Sequence, residues 1–132
     1  MAPKDHPLAG RDSLDFVDTL GWEQVTLPAM SAVQQLLERS AAQSGLRLQS
    51  RAMVSNFEAA LRMARAGLAI CVMPQEIFSS AQLTENLRWV GLRDSWAKRC
   101  FLLCFRRRDE LPISAKILLE YLRNRKPHLP HF

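Results

Sequence analysis

No stretch of this chain is apolar for long enough to cross a bilayer. The longest runs only from Leu68 to Met73, whereas a spanning helix needs about 20 such residues. An apolar signal core is also lacking at the N-terminus, so the expected setting is the cytoplasm, with no membrane partner. Cysteine is scarce and odd in number: Cys71, Cys100 and Cys104 all sit among apolar residues. Cys100 and Cys104 lack the short C-x-x-C spacing of a redox or metal pair, so all three read as small buried hydrophobes. No metal and no cofactor are expected. Histidine is confined to the two ends, as His6, His128 and His131. His128-x-x-His131 lies beside Pro127 and Pro130, in a tail expected to be loose. The chain has no G-x-S-x-G elbow, no H-E-x-x-H helix and no P-loop. Asp12, Asp15 and Asp18 recur at threes, without the glycine and distal glutamate of a Ca²⁺ loop. They read as a solvated face. Catalysis is not expected.

The charge balance invites a nucleic-acid reading and then argues against it. The formal net charge is +5, yet the one clear basic run, Arg106-Arg107-Arg108, is short. Arg39, Arg47, Arg51, Arg62, Arg65 and Arg88 are scattered. A basic stripe along one helix with aromatic residues between is what recognition would need, and none is present. A mildly basic, solvated surface accounts for the charge.

What is present is an alternation of strand and helix signals. With 48% hydrophobic and 23% charged residues over 132 positions, the chain has the composition of one ordered domain. Residues 1–24 read as a leading segment with turns and a short helix, its apolar set being Leu14, Phe16, Val17 and Leu20. Val25-Thr26-Leu27 is a short strand ended by Pro28. Ser31 with Gln34 forms a capping-box pattern, opening a helix in which Val33, Leu36, Leu37 and Ala41 share a face and Gly45 is the stop. Leu46 to Val54 alternates with a period of two, as a strand does. Ser55 with Glu58 is a second capping box, followed by the stripe Ala60, Leu61 and Ala64 and a stop at Gly67. Leu68 to Met73, closed by Pro74, is continuously apolar, as a strand covered on both faces would be. Leu87 to Leu92 and Cys100 to Phe105 read as further strands. Pro112 and Ser114 open a last helix, with Ile117, Leu118, Tyr121 and Leu122 facing inward and Arg123, Arg125 and Lys126 at its negative pole. Strand and helix in alternation indicate an open α/β layer.

Two short segments carry a family resemblance. Asp5-His6-Pro7-Leu8-Ala9 resembles the D-H-P-L-A segment midway through the sensor domains of LysR-type transcriptional regulators. Arg65-Ala66-Gly67-Leu68-Ala69-Ile70-Cys71-Val72-Met73-Pro74 resembles the family's A-G-L-G-I-x-x-x-P stretch at the matching distance. The later strands and the Ser114-led helix follow in the family's order, over roughly residues 5–123. One departure is Ala69, where the pattern has its second glycine. A backbone needing positive φ would be strained there.

The resemblance implies a three-layer open α/β sheet with helices on both faces, a subdomain like those of type 2 periplasmic binding proteins. It implies that residues 1–105 form the second subdomain of the sensor. Residues 106–132 are then a C-terminal helix and tail that return to an incomplete first subdomain, the helix-turn-helix being absent. In such sheets ligands bind beyond the carboxyl ends of the strands, where helix N-termini favour anions. The resemblance places the loops Ala29-Met30-Ser31 and Val54-Ser55-Asn56-Phe57 on that side, with Met73 at the end of the third strand. Ser31 and Ser55 equally fit a purely capping role. The implied ligand is a small, anionic effector, and the implied partner a further copy of the chain, in a dimer or tetramer. Gln34, Gln35, Glu38 and Arg39 of the first long helix would lie near the dimer face, or form an ordinary solvated face. DNA would be reached only through the absent helix-turn-helix. The sheet edges and apolar surface left open predict self-association. A solute-binding protein of a transporter and a basic nucleic-acid-binding protein are the competing readings.

Overall fold

The computed structural model describes residues 1–80, 84–98 and 102–124. Its elements in chain order are β1 (Ala2–Pro3), β2 (Ser13–Leu14), β3 (Glu23–Thr26), α1 (Ala32–Gln43), β4 (Gln49–Met53), α2 (Phe57–Arg65), α3 (Gln75–Ser80), β5 (Leu87–Arg88), β6 (Gly91–Leu92) and α4 (Ile113–Asn124). Single 3₁₀ turns lie at Pro7–Gly10, Phe16–Thr19 and Ser95–Ala97.

β3 is the strand around which the layer is built. On one side it pairs in parallel with β4, from Glu23↔Gln49 to Thr26↔Met53, with a register shift after Gln24 that leaves Arg51 as the extra residue. On its other side it meets the apolar run in parallel at Ile70. The Val25 amide donates to the Ile70 carbonyl at 2.8 Å, and the Ile70 amide to Glu23 at 3.2 Å. Cys71 in turn exchanges two backbone hydrogen bonds of 3.0 Å with Met1. β1 pairs antiparallel with β5, and β2 parallel with β6.

The run closed by Pro74 is buried on both faces over residues 69–73, as its composition predicts, although Leu68 is 48% exposed. Val25, Cys71 and Met73 pack with Ala60, Leu61 and Ala64 of α2. Val72 points the opposite way, into a cluster with Val33, Leu37 and Ala41 of α1 and Phe16 and Leu20 of the leading segment. Helices therefore cover both faces, and the three-layer α/β architecture stands. A third cluster, of Ala2, Leu8, Ala9, Leu14, Ile70 and Val90, closes the lower end. Ala60 and Ala64 are fully buried, and their small side chains let α2 lie close to the sheet. Ala69 is unstrained, because Asn86 is the one non-glycine residue with positive φ among those described.

Both helix stops form where the glycines predict them. Gly45 and Gly67 have φ of +69° and +76°. The residue after each donates back across the last turn, Leu46 to Ala41 at 3.0 Å and Leu68 to Met63 at 3.2 Å. This is a six-to-one closure that needs a left-handed residue.

Several expectations change. The strand predicted from Leu46 is confined to Gln49–Met53, and the one predicted over Val25–Leu27 sits at Glu23–Thr26. Leu87 to Leu92 splits into two short strands, and α3 follows Pro74 where no helix was expected. Residues 102–105 are irregular and exposed rather than a strand, and Cys104 is exposed rather than buried. Cys100 lies outside the described residues, as do His128 and His131. Cys71 is buried, and burial pushes its thiol up to about 12. α4 forms, but not one of its residues is buried. Ile117, Leu118, Tyr121 and Leu122, expected to face inward, are all exposed, Ile117 by 64%. The three aspartates lie on a solvated face, as expected, and each also meets an arginine. Asp15 takes both prongs of Arg93 at 3.1 and 2.8 Å, Asp12 meets Arg88 and Asp18 meets Arg11. Two of these contacts tie the leading segment to Arg88 of β5 and to Arg93 just beyond β6.

The His-Pro-Leu-Ala segment gains a physical reading. His6 caps the first 3₁₀ turn, its Nδ1 accepting the Leu8 amide at 3.2 Å, with Pro7 opening the turn. Leu8 and Ala9 are thereby turned into the third cluster, while the imidazole edge rests against Trp22 at 4.5 Å. Nδ1 must be unprotonated to accept that bond, and burial lowers the pKa of His6 below its ordinary value. The unfolded chain then binds the extra proton first. The stability from this site is complete above about pH 6.5 and is lost as pH falls through the lower folded pKa. We expect His6→Asn, which keeps an acceptor but does not titrate, to flatten the acid side of the stability profile. Melting temperatures of both chains between pH 5 and 8 test this, and parallel profiles would refute it.

Candidate functional site

Because β3, β4 and the 69–73 run are parallel, their carboxyl ends share one edge of the sheet. Thr26 is in register with Met53, and the Val54 amide donates to the Thr26 carbonyl at 2.9 Å, so the loops at 27–31 and 54–56 emerge side by side. α1 and α2 both start at this edge. Such starts present backbone N–H groups that have no partner within the helix.

Neither predicted capping box forms. At α1 the Ser31 backbone is extended and its side chain makes no capping hydrogen bond. Gln34 is turned inward instead: its Oε1 accepts the Leu27 amide at 3.1 Å, and its Nε2 donates to Glu38 at 3.0 Å. The side chain that would have completed the box is used to hold the turn leaving β3. At α2 the cap is Asn56, whose Oδ1 accepts the Ala59 amide at 2.9 Å. Ser55 stands one residue outside the helix, within 3.5 Å of Asn56 Nδ2. Glu58, in the first turn of α2, is held by Arg62 at 2.9 Å, which offsets the negative charge it would set against an anion there.

The structure thus brings Ala29, Met30 and Ser31 to the same edge as Val54, Ser55, Asn56 and Phe57. Met30 is 91% exposed, and Ala29, Ser55 and Asn56 are exposed as well. Val54 and Phe57 are half-buried, Phe57 packing against the clusters on both faces. Met73 does not join them. Only 1% exposed, it fills the core beneath α2 and presents no side chain to the edge. Reasoning from sequence missed α3, which starts at Gln75 on the same edge; a proline just ahead of a polar residue pair is the signal that could have found it.

One cleft borders this region. Lying between α1 and β4, it has about 390 Å³, with Leu27, Ala29, Leu46 and Met53 in its walls and Gln34 and Glu38 as polar neighbours. Its size lies within the range of small-molecule sites. Away from this edge, among Ala2, Leu8, Leu14, Ile70 and Val90 of the third cluster, a second space has only about 30 Å³, room for about one water. On the outer face of α1, Gln35, Glu38 and Arg39 are exposed, but Gln34 is buried and takes no part in any face there. Among the described residues no group of His, Cys, Asp and Glu could hold a metal, and no helix is long and apolar enough to cross a membrane.

Residues 1–127 match the family described as LysR substrate binding domain. Among solved structures the chain resembles the effector binding domain of QuiR in complex with shikimate, with a TM-score of 0.52 and 22% identity. That likeness covers 55% of this chain and 34% of the other, so the chain spans about a third of the solved domain. No curated protein matches it.

The caps make a prediction. Asn56→Ala should lower stability by about 1 kcal/mol, whereas Ser31→Ala and Ser55→Ala should each cost less than about 0.5 kcal/mol. Urea denaturation of the three variants decides it. A Ser55→Ala loss equal to that of Asn56→Ala would restore the capping box expected from the sequence.

Proposed function

We propose, from the premise that this chain belongs to the LysR substrate-binding-domain family, that it senses a small anionic metabolite at the edge where β3 and β4 end. The observation that carries this reading is the state of Ser31. Its hydroxyl is not used to cap α1, so it and the first amides of α1 are free to receive a carboxylate or phosphate. The start of α2 lies beside it, with Asn56 capping one amide and leaving others available. QuiR's domain holds shikimate, a carboxylate, which fits the same chemistry. Domains of this family are regulatory rather than catalytic.

Residues 1–105 supply one wall of the site, α4 returns toward a second lobe, and that lobe supplies the other wall. Occupancy would act on transcription through a DNA-binding part carried elsewhere in the full regulator. The outer residues Gln35, Glu38 and Arg39 of α1 are the surface we assign to pairing between sensors.

A thermal-shift panel of small carboxylates, shikimate included, tests this on the present chain and on a longer chain carrying both lobes. At a hundred times its Kd a ligand contributes about 2.7 kcal/mol, so at least one carboxylate should raise the melting temperature of the longer chain clearly. Ser31→Ala should weaken that shift without lowering the melting temperature of the free protein. If isothermal titration found only neutral or cationic ligands, the anionic reading would be wrong.

A further inference from the structure

β3 stops at Thr26, and the next backbone N–H belongs to Leu27, which is buried. That donor lies past the end of the β3–β4 ladder, so a side chain has to receive it. Gln34 does so. It is itself only 4% exposed, and both ends of its amide are used. Oε1 accepts the Leu27 N–H at 3.1 Å, and Nε2 donates to Glu38 Oε1 at 3.0 Å. The two partners are opposite in kind, a donor and a carboxylate, so a single orientation of the amide serves both. Glu38, at the solvent, thereby keeps the amide the way round that Leu27 requires.

The bond to Leu27 closes a ring of chain from the end of β3 to the first turn of α1. Inside that ring Pro28 has a fixed φ, and its carbonyl accepts the Ser31 amide at 2.8 Å. The Ser31 carbonyl in turn accepts the Gln35 amide at 2.9 Å. Ser31 has little freedom once Leu27 is held. On the other flank the Val54 amide donates to the Thr26 carbonyl at 2.9 Å, which ties the approach to α2 to the same strand end.

We propose that Gln34 is a positioning residue of the candidate site. By clamping Leu27 it sets where Ser31 and the first turn of α1 stand relative to the start of α2, and it acts through the loop rather than through a ligand. Its bearing on binding rests on the effector reading above; the clamp itself does not. Volume alone does not account for the residue. An apolar side chain of the same size would fill the space but leave the Leu27 N–H buried and unpaired.

Amide hydrogen exchange of the whole chain, read residue by residue by NMR, tests the clamp without any ligand. Gln34→Met, which keeps the volume, should speed exchange of the Leu27 amide roughly tenfold to a hundredfold, and that of Ser31 with it. Amides of β4 and of the second half of α1 should keep their rates. Gln34→Glu leaves an acceptor for Leu27 but sets two carboxylates together, and should act in the same direction. Adding Glu38→Gln returns one donor and one carboxylate to the pair and should bring the rates back. Calorimetric titration of shikimate into the longer chain with both lobes is the second readout. There Gln34→Met should raise the Kd roughly tenfold with circular dichroism unchanged, and the double variant should recover it. Rates at Leu27 and Ser31 that do not respond to Gln34→Met, or that rise throughout α1 as for a core residue, would overturn the clamp. Shikimate binding that is equal before and after Gln34→Met would overturn the positioning role. If shikimate binds none of these chains while exchange follows the expected pattern, the clamp stands and the effector reading is what loses support.

Discussion

The hydrogen bonds that flank β3 are the constraint on which the rest of the molecule depends. β3 runs for only four residues, yet it is bonded on one side to β4 and on the other to Ile70. Those bonds hold the apolar run 69–73 in the middle of the layer, and that placement gives each face something to cover. Cys71 and Met73 draw α2 down on one side and Val72 draws α1 onto the other. Large-to-small changes at such sites typically cost 2–5 kcal/mol, so the position of β3 and the stability of both helices are one problem. The same bonds make the ends of β3, β4 and the 69–73 run coincide, and the candidate site lies at that edge.

What could be read from the residues follows from how local the determining interaction is. The stops at Gly45 and Gly67 are legible because a left-handed residue closing a helix needs only its own few neighbours. The buried run 69–73 is legible because continuous apolarity has one economical explanation in an α/β chain. The caps were misread for a reason of the opposite kind. Ser31 and Gln34 have the spacing of a box, but Gln34 finds the Leu27 amide, seven residues back, across a turn that exists only once β3 has paired. Ser55 lost to its neighbour Asn56, which is as good a cap by type and differs only in where the strand ends. The inward face expected for α4 is a case of correct periodicity without a surface to meet. A helical stripe states that something should be covered and says nothing of by what.

The candidate edge was legible as a place more than as a set of side chains. Parallel strands and their helices dictate which loops gather, so Ala29 to Ser31 and Val54 to Phe57 could be named. Met73 could not be placed the same way, because alternation along a strand decides which side chains leave the core, and the last residue of the run falls on the α2 face. The division of labour at the edge is accordingly mostly main-chain. Two helix starts and a hydroxyl released from capping stand there, with Glu58 paired to Arg62.

The register shift in β3 and β4 has a bearing on how this protein survives its own synthesis. β4 lies at the margin of the layer, where an unpaired row of backbone groups invites any other extended chain to join it. The irregularity after Gln24 breaks the even spacing of that row, and the supernumerary Arg51, held by Glu23 at 3.2 Å, keeps a charge at the rim. An incoming strand would find neither a continuous ladder nor an uncharged margin. Such a rim disfavours the addition of a further strand to β4.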